Sequence, residues 1–309
     1  MKHTILGAGG AIGNALTDEL LKNKQTVRSV SRSGRAPEGT EAVKADILSY
    51  PELAKSVEGS DVVYLLAGLQ YSYKVWAEQW PGIMRNTIDA CKAAGAGLIF
   101  FDNVYMYGKV DGKMTEETPY NPCSRKGEIR AKIAGLLQEE IKSGNIKASI
   151  ARSADFYGPY ATYVSIPYVM AIDKLLNGKK PQWLVNAETP HSYTFTRDCG
   201  KALFMMSGNE ASFGQVWHLP TSNPGINGKT FIELAAGELG VPAGYTVLKK
   251  WMVRLAGYFN TTIREIFEMT YQYEFPYYFD SSKFNNYFNY QPAGYEDGLR
   301  ETMQFLKKK

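Results

Sequence analysis

The sequence predicts a doubly wound α/β fold, in which a parallel sheet is covered by helices on both faces, followed by a smaller mixed region. Between residues 2 and 152, short apolar runs alternate with segments of helical periodicity. This alternation is typical of a parallel sheet. A glycine cluster stands where the first apolar run meets the first helical segment. Beyond Arg152 the alternation fades, and loops rich in Pro, Gly and aromatic residues separate isolated helical stretches.

The elements of the first region follow from composition and period. Short runs rich in apolar and β-branched residues predict six strands. These lie at 2–6, 25–31, 42–46, 61–68, within 97–108, and at 147–152. Helices are predicted between them, at 11–23, 50–59, 75–95 and in a segment that opens within 119–132. In the last helix Ile129, Ile133 and Ile141 fall on one face, as expected of a helix that packs on a sheet.

The second region reads as a layer that determines specificity. Helical stretches are predicted near 163–177, 197–207, 229–239 and 296–308. We expect residues 1–152 to form a dinucleotide-binding domain to which 193–219 returns. Residues 153–192 and 220–309 would then form a substrate-binding region. Its many aromatic side chains suit a flat or apolar small molecule, and equally an ordinary core.

Composition excludes several classes of function. The net charge is +4, from 35 basic and 31 acidic residues, and much of the surplus comes from three lysines at 307–309. This charge distribution does not indicate a nucleic-acid partner. Cys91, Cys123 and Cys199 are far apart, and His191 and His218 have no ligand partners at metal spacing, so we predict no metal site and a reducing compartment.

The same reading predicts a cytoplasmic protein with no membrane partner. A strand begins at Lys2, which leaves no room for a signal peptide. No apolar run approaches the roughly 20 residues needed to span a bilayer.

The strongest motif is the glycine loop at the end of the first strand. Gly7, Gly10 and Gly13 follow the pattern G-x-x-G-x-x-G, with Gly9 as an additional small residue. Ala11 and Ile12 open the helix that follows. Glycines at such a turn let the backbone approach a pyrophosphate, whose charge rests on the helix N-terminus. We therefore predict dinucleotide binding.

The end of the second strand indicates the type of dinucleotide. An enzyme that uses NAD needs an acidic residue there to hold the ribose hydroxyls, but this chain has Ser31, Arg32 and Arg35 and no carboxylate. Arginine suits a 2′-phosphate through its planar fork of donors. We predict NADP, with NAD possible; surface arginines in a loop are the alternative. Asp46, after the third strand, could contact the adenine or cap a helix.

Together these motifs resemble the extended short-chain dehydrogenase/reductase superfamily, which contains nucleotide-sugar epimerases and dehydratases. The glycine loop matches, and so do Ala67 and Gly68, which in the family lie beside the cofactor. FFDNVYMYG resembles the fifth-strand motif that ends in Val-Tyr-Gly. ARSADFYGPY (151–160) and HSYTFTRDCGKAL (191–203) resemble two later signatures. The resemblance implies a Rossmann fold, a small-molecule substrate and a homodimer formed through helices that flank the sheet.

The catalytic set departs from the family pattern. The family uses a Ser or Thr, a Tyr, and a Lys four residues after that Tyr. Here the Ser/Thr position falls on Asn103, Lys126 falls on the Tyr position and Arg130 on the Lys position. In another register Lys126 takes the Lys position, with Pro122 four residues before it. Neither register supplies a phenol.

Three interpretations follow. In the first, the protein is an atypical reductase whose acid is Tyr105 or Tyr157, with Asn103 donating to a carbonyl and Lys126 acting as a cation, an acid or a cofactor contact. In the second, it binds NADP(H) without chemistry, as a sensor or regulatory module. In the third, a rearranged site performs epimerase-like chemistry. An enzyme should present a polar group in an open cleft, whereas a sensor should fill that cleft with its own side chains.

Two arginines are further candidates. Arg152 and Arg197 could meet a substrate phosphate. They could equally pair with Asp155 and Asp198.

Overall fold

The computed structural model describes residues 1–308 and confirms the predicted fold class. The strands are β1 (Lys2–Leu6), β2 (Thr26–Ser31), β3 (Glu41–Lys44), β4 (Val62–Leu65), β5 (Gly97–Asp102), β6 (Lys113–Met114), β7 (Ala148–Arg152), β8 (Asp155–Tyr157), β9 (Gln182–Leu184), β10 (Pro190–His191), β11 (Tyr193–Phe195), β12 (Val216–His218), β13 (Ile226–Asn227), β14 (Thr246–Leu248) and β15 (Tyr278–Phe279). The helices are α1 (Ala11–Lys22), α2 (Tyr50–Val57), α3 (Tyr73–Ala94), α4 (Arg125–Lys142), α5 (Asp173–Leu176), α6 (Thr196–Ser207), α7 (Gly228–Leu239), α8 (Lys250–Ala256), α9 (Thr261–Phe267), α10 (Ser282–Tyr287) and α11 (Tyr295–Lys307).

The central sheet has seven parallel strands in the order β12-β7-β5-β4-β1-β2-β3. The chain runs outward from β1 through β2 and β3, then crosses over and continues from β4 in the opposite direction. The order therefore reverses between β1 and β4, where Leu6 lies opposite Leu65. In open α/β sheets, ligands bind at the carboxyl ends of the strands at such a reversal.

Apolar residues on both faces of the sheet explain why its central strands read as continuous apolar runs. On one face, Ile5 and Tyr64 pack against Leu16 of α1 and Leu203 of α6. On the other face α2, α3 and α4 cover the sheet. The cluster there includes Leu6, Leu65, Phe100, Ile83 and Ile133.

The smaller region has its own core. Trp183, Phe231 and Leu299 pack together with all three side chains fully or almost fully buried. Four two-stranded pairs, β8–β11, β9–β14, β10–β13 and β6–β15, tie this region together and to the loop after β5.

The sequence prediction of helix near 163–177 is only partly correct. A π-helical turn over Tyr168–Ile172 leads directly into α5. The sequence did not predict the short helices α8, α9 and α10. Each is six or seven residues long, too short to show a helical period clearly.

Close packing of α1 against α6 depends on Gly200. A Cβ at this position would lie 2.5 Å from the carbonyl oxygen of Ala15. We expect Gly200→Ala to lower the free energy of unfolding by about 1–3 kcal/mol, because the backbone of α1 must shift. Gly135→Ala is the matched control, since Gly135 lies inside α4 with nothing within 4 Å of a built Cβ.

The control should stabilise the protein by about 0.5–1 kcal/mol through helix propensity. Urea denaturation of both variants measures the difference. Equal effects would contradict the close packing of the two helices.

Candidate functional site

The glycine loop joins β1 to α1 at the reversal point of the sheet. Gly7 and Gly9 have φ of +97° and +92°, the left-handed region that favours glycine. A Cβ on Gly7 would lie 2.6 Å from the Cα of Ala67. A Cβ on Gly13 would lie 3.1 Å from the Gly7 carbonyl oxygen. The loop thus needs glycine for contact with the segment after β4 and for close packing of α1.

The space beside this loop suits a pyrophosphate. No atom lies within 4 Å of a Cβ built on Gly9 or on Gly68. No side chain caps the N-terminus of α1, where Gly10 precedes Ala11 and Ile12. The first N–H groups of the helix are therefore available to an anion. The residues present fit a dinucleotide.

A cavity of about 680 Å³ continues from the loop towards the end of β2. Gly9, Ser33 and Arg35 border it. Arg32, which the sequence favours for a 2′-phosphate, is exposed and lies outside this lining. The Ser31 hydroxyl donates a hydrogen bond of 2.9 Å to the carbonyl of Arg35 and so holds the loop that carries both arginines.

Asp46 caps a turn. Its Oδ1 accepts a hydrogen bond of 3.0 Å from the N–H of Leu48, and its own N–H donates to Glu52 at 2.9 Å. The sequence allows Asp46 either to contact the adenine or to cap a helix. These contacts match capping, in the turn that precedes α2.

A fully buried carboxylate, Asp102, ends β5. Its Oδ1 accepts a hydrogen bond of 2.7 Å from Arg130 Nε, and Arg152 Nε lies 3.8 Å from Oδ2. The Arg130 guanidinium also lies over the rings of Trp80 and Phe100, 4.5 and 5.1 Å from their centroids. Arg130, which one of the two registers aligns with the family lysine, is therefore fixed in the core.

Arg152 is completely buried among its neighbours. Its guanidinium donates to the hydroxyls of Tyr107, at 2.6 Å, and Tyr120. Burial lowers the pKa of His218 to about 3, so this imidazole is neutral. Its Nδ1 faces the carbonyl of Asp280 at 2.8 Å and must donate, which leaves Nε2 to accept from Tyr107 at 2.8 Å. The prediction that Arg152 meets a phosphate or pairs with Asp155 is wrong, because the guanidinium points into this buried network.

The predicted pairing of Arg197 with Asp198 is also wrong. Arg197 forms ion pairs with Asp18, at 3.5 Å, and with Glu301. Asp198 instead accepts hydrogen bonds from Tyr290 and from the N–H of Ala293. Arg197 and Asp198 are adjacent in the first turn of α6, where neighbouring side chains point in different directions.

The carboxylate of Asp155 contacts the smaller region. It lies 3.1 Å from Nε2 of His191 and accepts a hydrogen bond of 2.9 Å from Tyr273. The rings of Tyr193, Tyr273 and Tyr277 stack on the His191 imidazole. His191 is thus part of a buried aromatic cluster.

Lys126, which the two registers place at the family tyrosine or at the family lysine, is completely buried at the start of α4. Its Nζ donates to the carboxylate of Glu265 and, at 2.5 Å, to that of Glu268. It also lies 4.7 Å from the centre of the Tyr71 ring. Although partial burial opposes ionisation of Glu265, hydrogen bonds from Lys126 and from the N–H of Tyr73 hold its pKa below the usual value.

A close backbone approach positions the start of α4. A Cβ on Gly127 would lie 2.5 Å from the carbonyl oxygen of Tyr105. The hydroxyl of Ser124 caps the helix by accepting from the N–H of Gly127 at 3.0 Å. Lys126 is therefore held next to the loop that follows β5.

That loop carries two more candidates. The Oδ1 of Asn103 accepts from the N–H of Tyr105 at 3.1 Å, which leaves the side-chain amide group free to donate. The Tyr105 ring stacks on Trp76, and its hydroxyl lies 3.5 Å from that of Tyr71. Burial raises the pKa of Tyr105 above its ordinary value, so its phenol stays neutral.

Tyr157 lies outside this group. Its ring is buried against Phe231 and Tyr295 in the core of the smaller region. Within residues 1–308 its hydroxyl has no hydrogen-bond partner. The interpretation of Tyr157 as a proton donor at the site is therefore wrong.

Sequence reasoning missed the acidic half of the site. Glu265 and Glu268 are 139 and 142 residues from Lys126 along the chain. Neither belongs to a motif. A buried lysine requires an acidic partner, but the sequence alone does not show which of the 31 acidic residues supplies it.

Comparison with known proteins identifies the family. The model of the NAD dependent epimerase/dehydratase family matches residues 3–218. The chain therefore belongs to this family, which places it among enzymes of the extended short-chain dehydrogenase/reductase type.

Individual relatives are distant. An uncharacterised UDP-glucose epimerase of Bacillus subtilis is 23% identical over 70% of this chain and 75% of its own length. A dTDP-4-dehydrorhamnose reductase of Mycolicibacterium smegmatis is 28% identical over 50% of this chain and 45% of its own length.

Solved structures share the fold. A UDP-glucuronic acid 4-epimerase from Bacillus cereus in complex with NAD superposes with a TM-score of 0.81 at 20% identity, over 100% of this chain and 99% of its own. A dTDP-glucose 4,6-dehydratase from Streptomyces venezuelae superposes with a TM-score of 0.81 at 17% identity, over 100% of this chain and 97% of its own.

The pairing of Asp102 gives a stability prediction. We expect Asp102→Asn to lower the free energy of unfolding by about 3–5 kcal/mol, because two buried arginines lose their common carboxylate. Asp297→Asn is the control: this side chain is 75% exposed and pairs with Arg300 within α11. It should cost less than about 1 kcal/mol. Urea denaturation of both variants measures the difference. Equal shifts of the two midpoints would contradict a stabilising role for the Asp102 carboxylate.

Proposed function

We propose that this chain is an NAD(P)-dependent enzyme that interconverts a hydroxyl and a carbonyl group on a sugar-nucleotide substrate, with Lys126 in place of the family tyrosine. The observation that carries the proposal is the position of Lys126. Its ammonium group lies at the start of α4, beside the loop after β5, and is held by two carboxylates.

The glycine loop supports the cofactor assignment. Gly7, Gly9, Gly10 and the N-terminus of α1 would hold the pyrophosphate. The dinucleotide, when bound, accepts or supplies the hydride. Arg35 and Arg32, with no carboxylate at the end of β2, favour a 2′-phosphate and hence NADP over NAD.

Lys126 would move the proton. The ammonium group gives a proton to the substrate oxygen as the carbonyl is reduced, and takes it back when the hydroxyl is oxidised. Glu265 and Glu268 hold the ammonium group before the substrate binds, and both carboxylates leave it for this transfer. Asn103 would donate a hydrogen bond to the same oxygen from its free amide group. Tyr105, with a raised pKa, would position Tyr71 through their contact rather than transfer the proton.

The substrate class follows from the relatives. Both are named as enzymes of nucleotide-linked sugars, a UDP-glucose epimerase and a dTDP-4-dehydrorhamnose reductase. Small carbonyl compounds and apolar substrates are the other classes we would test. Because α9 covers Lys126, a substrate reaches the ammonium group only when Glu265 and Glu268 move aside.

One observation favours a second candidate, a non-catalytic NADP(H)-binding module. Lys126 has no exposed surface, and the ring of Tyr71 lies 4.7 Å from its Nζ. A cleft filled by the protein's own side chains is what a sensor should have. The two candidates differ in whether any turnover depends on Lys126.

Cofactor choice is tested by thermal shift with NADP(H) and NAD(H) in parallel. A ligand present at 100 times its Kd stabilises the native state by about 2.7 kcal/mol. We expect a larger shift with NADP(H), and we expect Arg35→Gln to weaken NADP(H) binding about tenfold while leaving NAD(H) unchanged. Arg85→Gln, on the exposed side of α3, is the control. An equal loss for both dinucleotides would refute the assignment of the 2′-phosphate.

Catalysis is tested by Lys126→Met. We expect kcat/KM on the best of a panel of UDP- and dTDP-sugars and simple aldehydes to fall about 100-fold or more, because the general acid is lost. The Kd of NADP(H) should not change. Arg125→Met, the exposed neighbour, controls for local packing.

Full turnover in Lys126→Met would disprove the role of this residue. Cofactor binding by the wild type without turnover on any panel member would favour the regulatory module.

A further inference from the structure

One helix presents an apolar face to solvent. Large apolar side chains that are more than half exposed are few, and four of them fall within nine residues. These are Trp251, Leu255, Tyr258 and Phe259, with 67%, 53%, 72% and 88% of their surfaces exposed. Contiguous exposed apolar surface of this kind marks an interaction site.

Helix geometry places the face on one side of α8. Trp251, Leu255 and Tyr258 are spaced i, i+4, i+7, and the N–H of Tyr258 donates to the carbonyl of Leu255 at 3.1 Å, which continues the turn. Val253 and Gly257 point inward and are buried. The helix therefore has two apolar sides, and only one of them is covered.

The surroundings of this face are basic. From residue 249 to residue 264 the chain carries Lys249, Lys250, Arg254 and Arg264 and no acidic residue. Lys250 pairs with Glu274 at 2.7 Å. Within residues 1–308, Lys249, Arg254 and Arg264 have no ion-pair partner, and all three are exposed. Arg254 lies three residues after Trp251, on the same side of the helix.

We propose that the docking face, defined as Trp251, Arg254, Leu255, Tyr258 and Phe259, binds the surface of an anionic membrane. Exposed aromatic residues beside Lys and Arg are the composition of helices that lie in the membrane interface. A second copy of this chain is a poorer partner, because a twofold interface sets the same basic residues against each other.

This docking needs no spanning segment. In the part of the chain that the structure describes, no helix has both the length and the apolar character to cross a bilayer. The expectation of no membrane partner came from the absence of such a run in the sequence. Binding to the surface depends instead on side chains that the fold leaves uncovered.

The docking face adjoins α9, the helix that covers Lys126 in the candidate site. A Cβ on Gly257 would lie 3.2 Å from the Cα of Arg264, so α8 and α9 are in close contact. The next residue of α9, Glu265, holds Lys126. A membrane on α8 would therefore sit next to the helix that closes over the lysine.

Trp251 provides a direct probe. The other four tryptophans, Trp76, Trp80, Trp183 and Trp217, are buried. With vesicles of phosphatidylcholine and phosphatidylglycerol, we expect the full-length protein to co-sediment and its tryptophan emission to shift to the blue. Vesicles of phosphatidylcholine alone should bind weakly, and added salt should release the protein from anionic vesicles.

Variants test whether membrane binding needs the docking face or only exposed aromatic side chains in general. Trp251→Ser combined with Phe259→Ser should weaken binding to anionic vesicles about tenfold or more. Tyr163→Ser is the control, since Tyr163 is 86% exposed and is not one of the residues of the docking face. Thermal melting of each variant confirms that it is folded.

Three results with vesicles would overturn the proposal: no co-sedimentation with anionic vesicles, equal binding to neutral vesicles, or equal weakening by Tyr163→Ser. Sedimentation velocity without lipid tests the second copy. If the double variant converts a dimer to a monomer, the face is a protein interface and the proposal fails.

Discussion

The buried carboxylate of Asp102 joins three elements that the candidate site requires. It ends β5, pairs with Arg130 of α4 and lies opposite Arg152 of β7. A carboxylate without exposure to water is stable only when paired and hydrogen bonded. The pairing therefore joins α4 to the end of β5, and Lys126 lies one turn before Arg130 on the same helix. Residues of the loop after β5, including Asn103 and Tyr105, occupy their positions because the carboxylate anchors the start of that loop.

Sequence patterns could predict the parts of the molecule whose physical cause is local. Gly7, Gly9 and Gly13 were identifiable because a strand, a tight turn and a helix follow one another within a few residues. The central strands were identifiable because both faces of a parallel sheet are buried, which makes Ile5, Leu65 and Phe100 members of continuous apolar runs. The departure from the family pattern at Asn103 and Lys126 was also visible, since it needs only alignment with the loop before it.

Contacts between distant residues could not be predicted in this way. Glu265 and Glu268 meet Lys126 across more than 130 residues, and nothing local marks either of them. The partners of Arg152 and Arg197 were misassigned for the same reason: a nearby carboxylate in the sequence points elsewhere in the fold. The hydrogen-bond partners of Arg152, Tyr107 and Tyr120, lie 45 and 32 residues before it along the chain, in the segment between β5 and α4.

The segment between β14 and β15 covers Lys126, and the pairing of these two short strands determines how that segment can move. β14 is held by β9 on one side of the cover, and β15 is held by β6 on the other. Between these two anchors lie α8, α9 and the turn at Thr270–Tyr273. The segment is thus a flap clamped at both ends, and its lifting breaks no strand of the central sheet. Val253 and Tyr273 of this segment belong to the core of the smaller region. Opening the site therefore costs the burial of these side chains as well as the ion pairs of Lys126 with Glu265 and Glu268, and lid motions of this kind take microseconds to milliseconds.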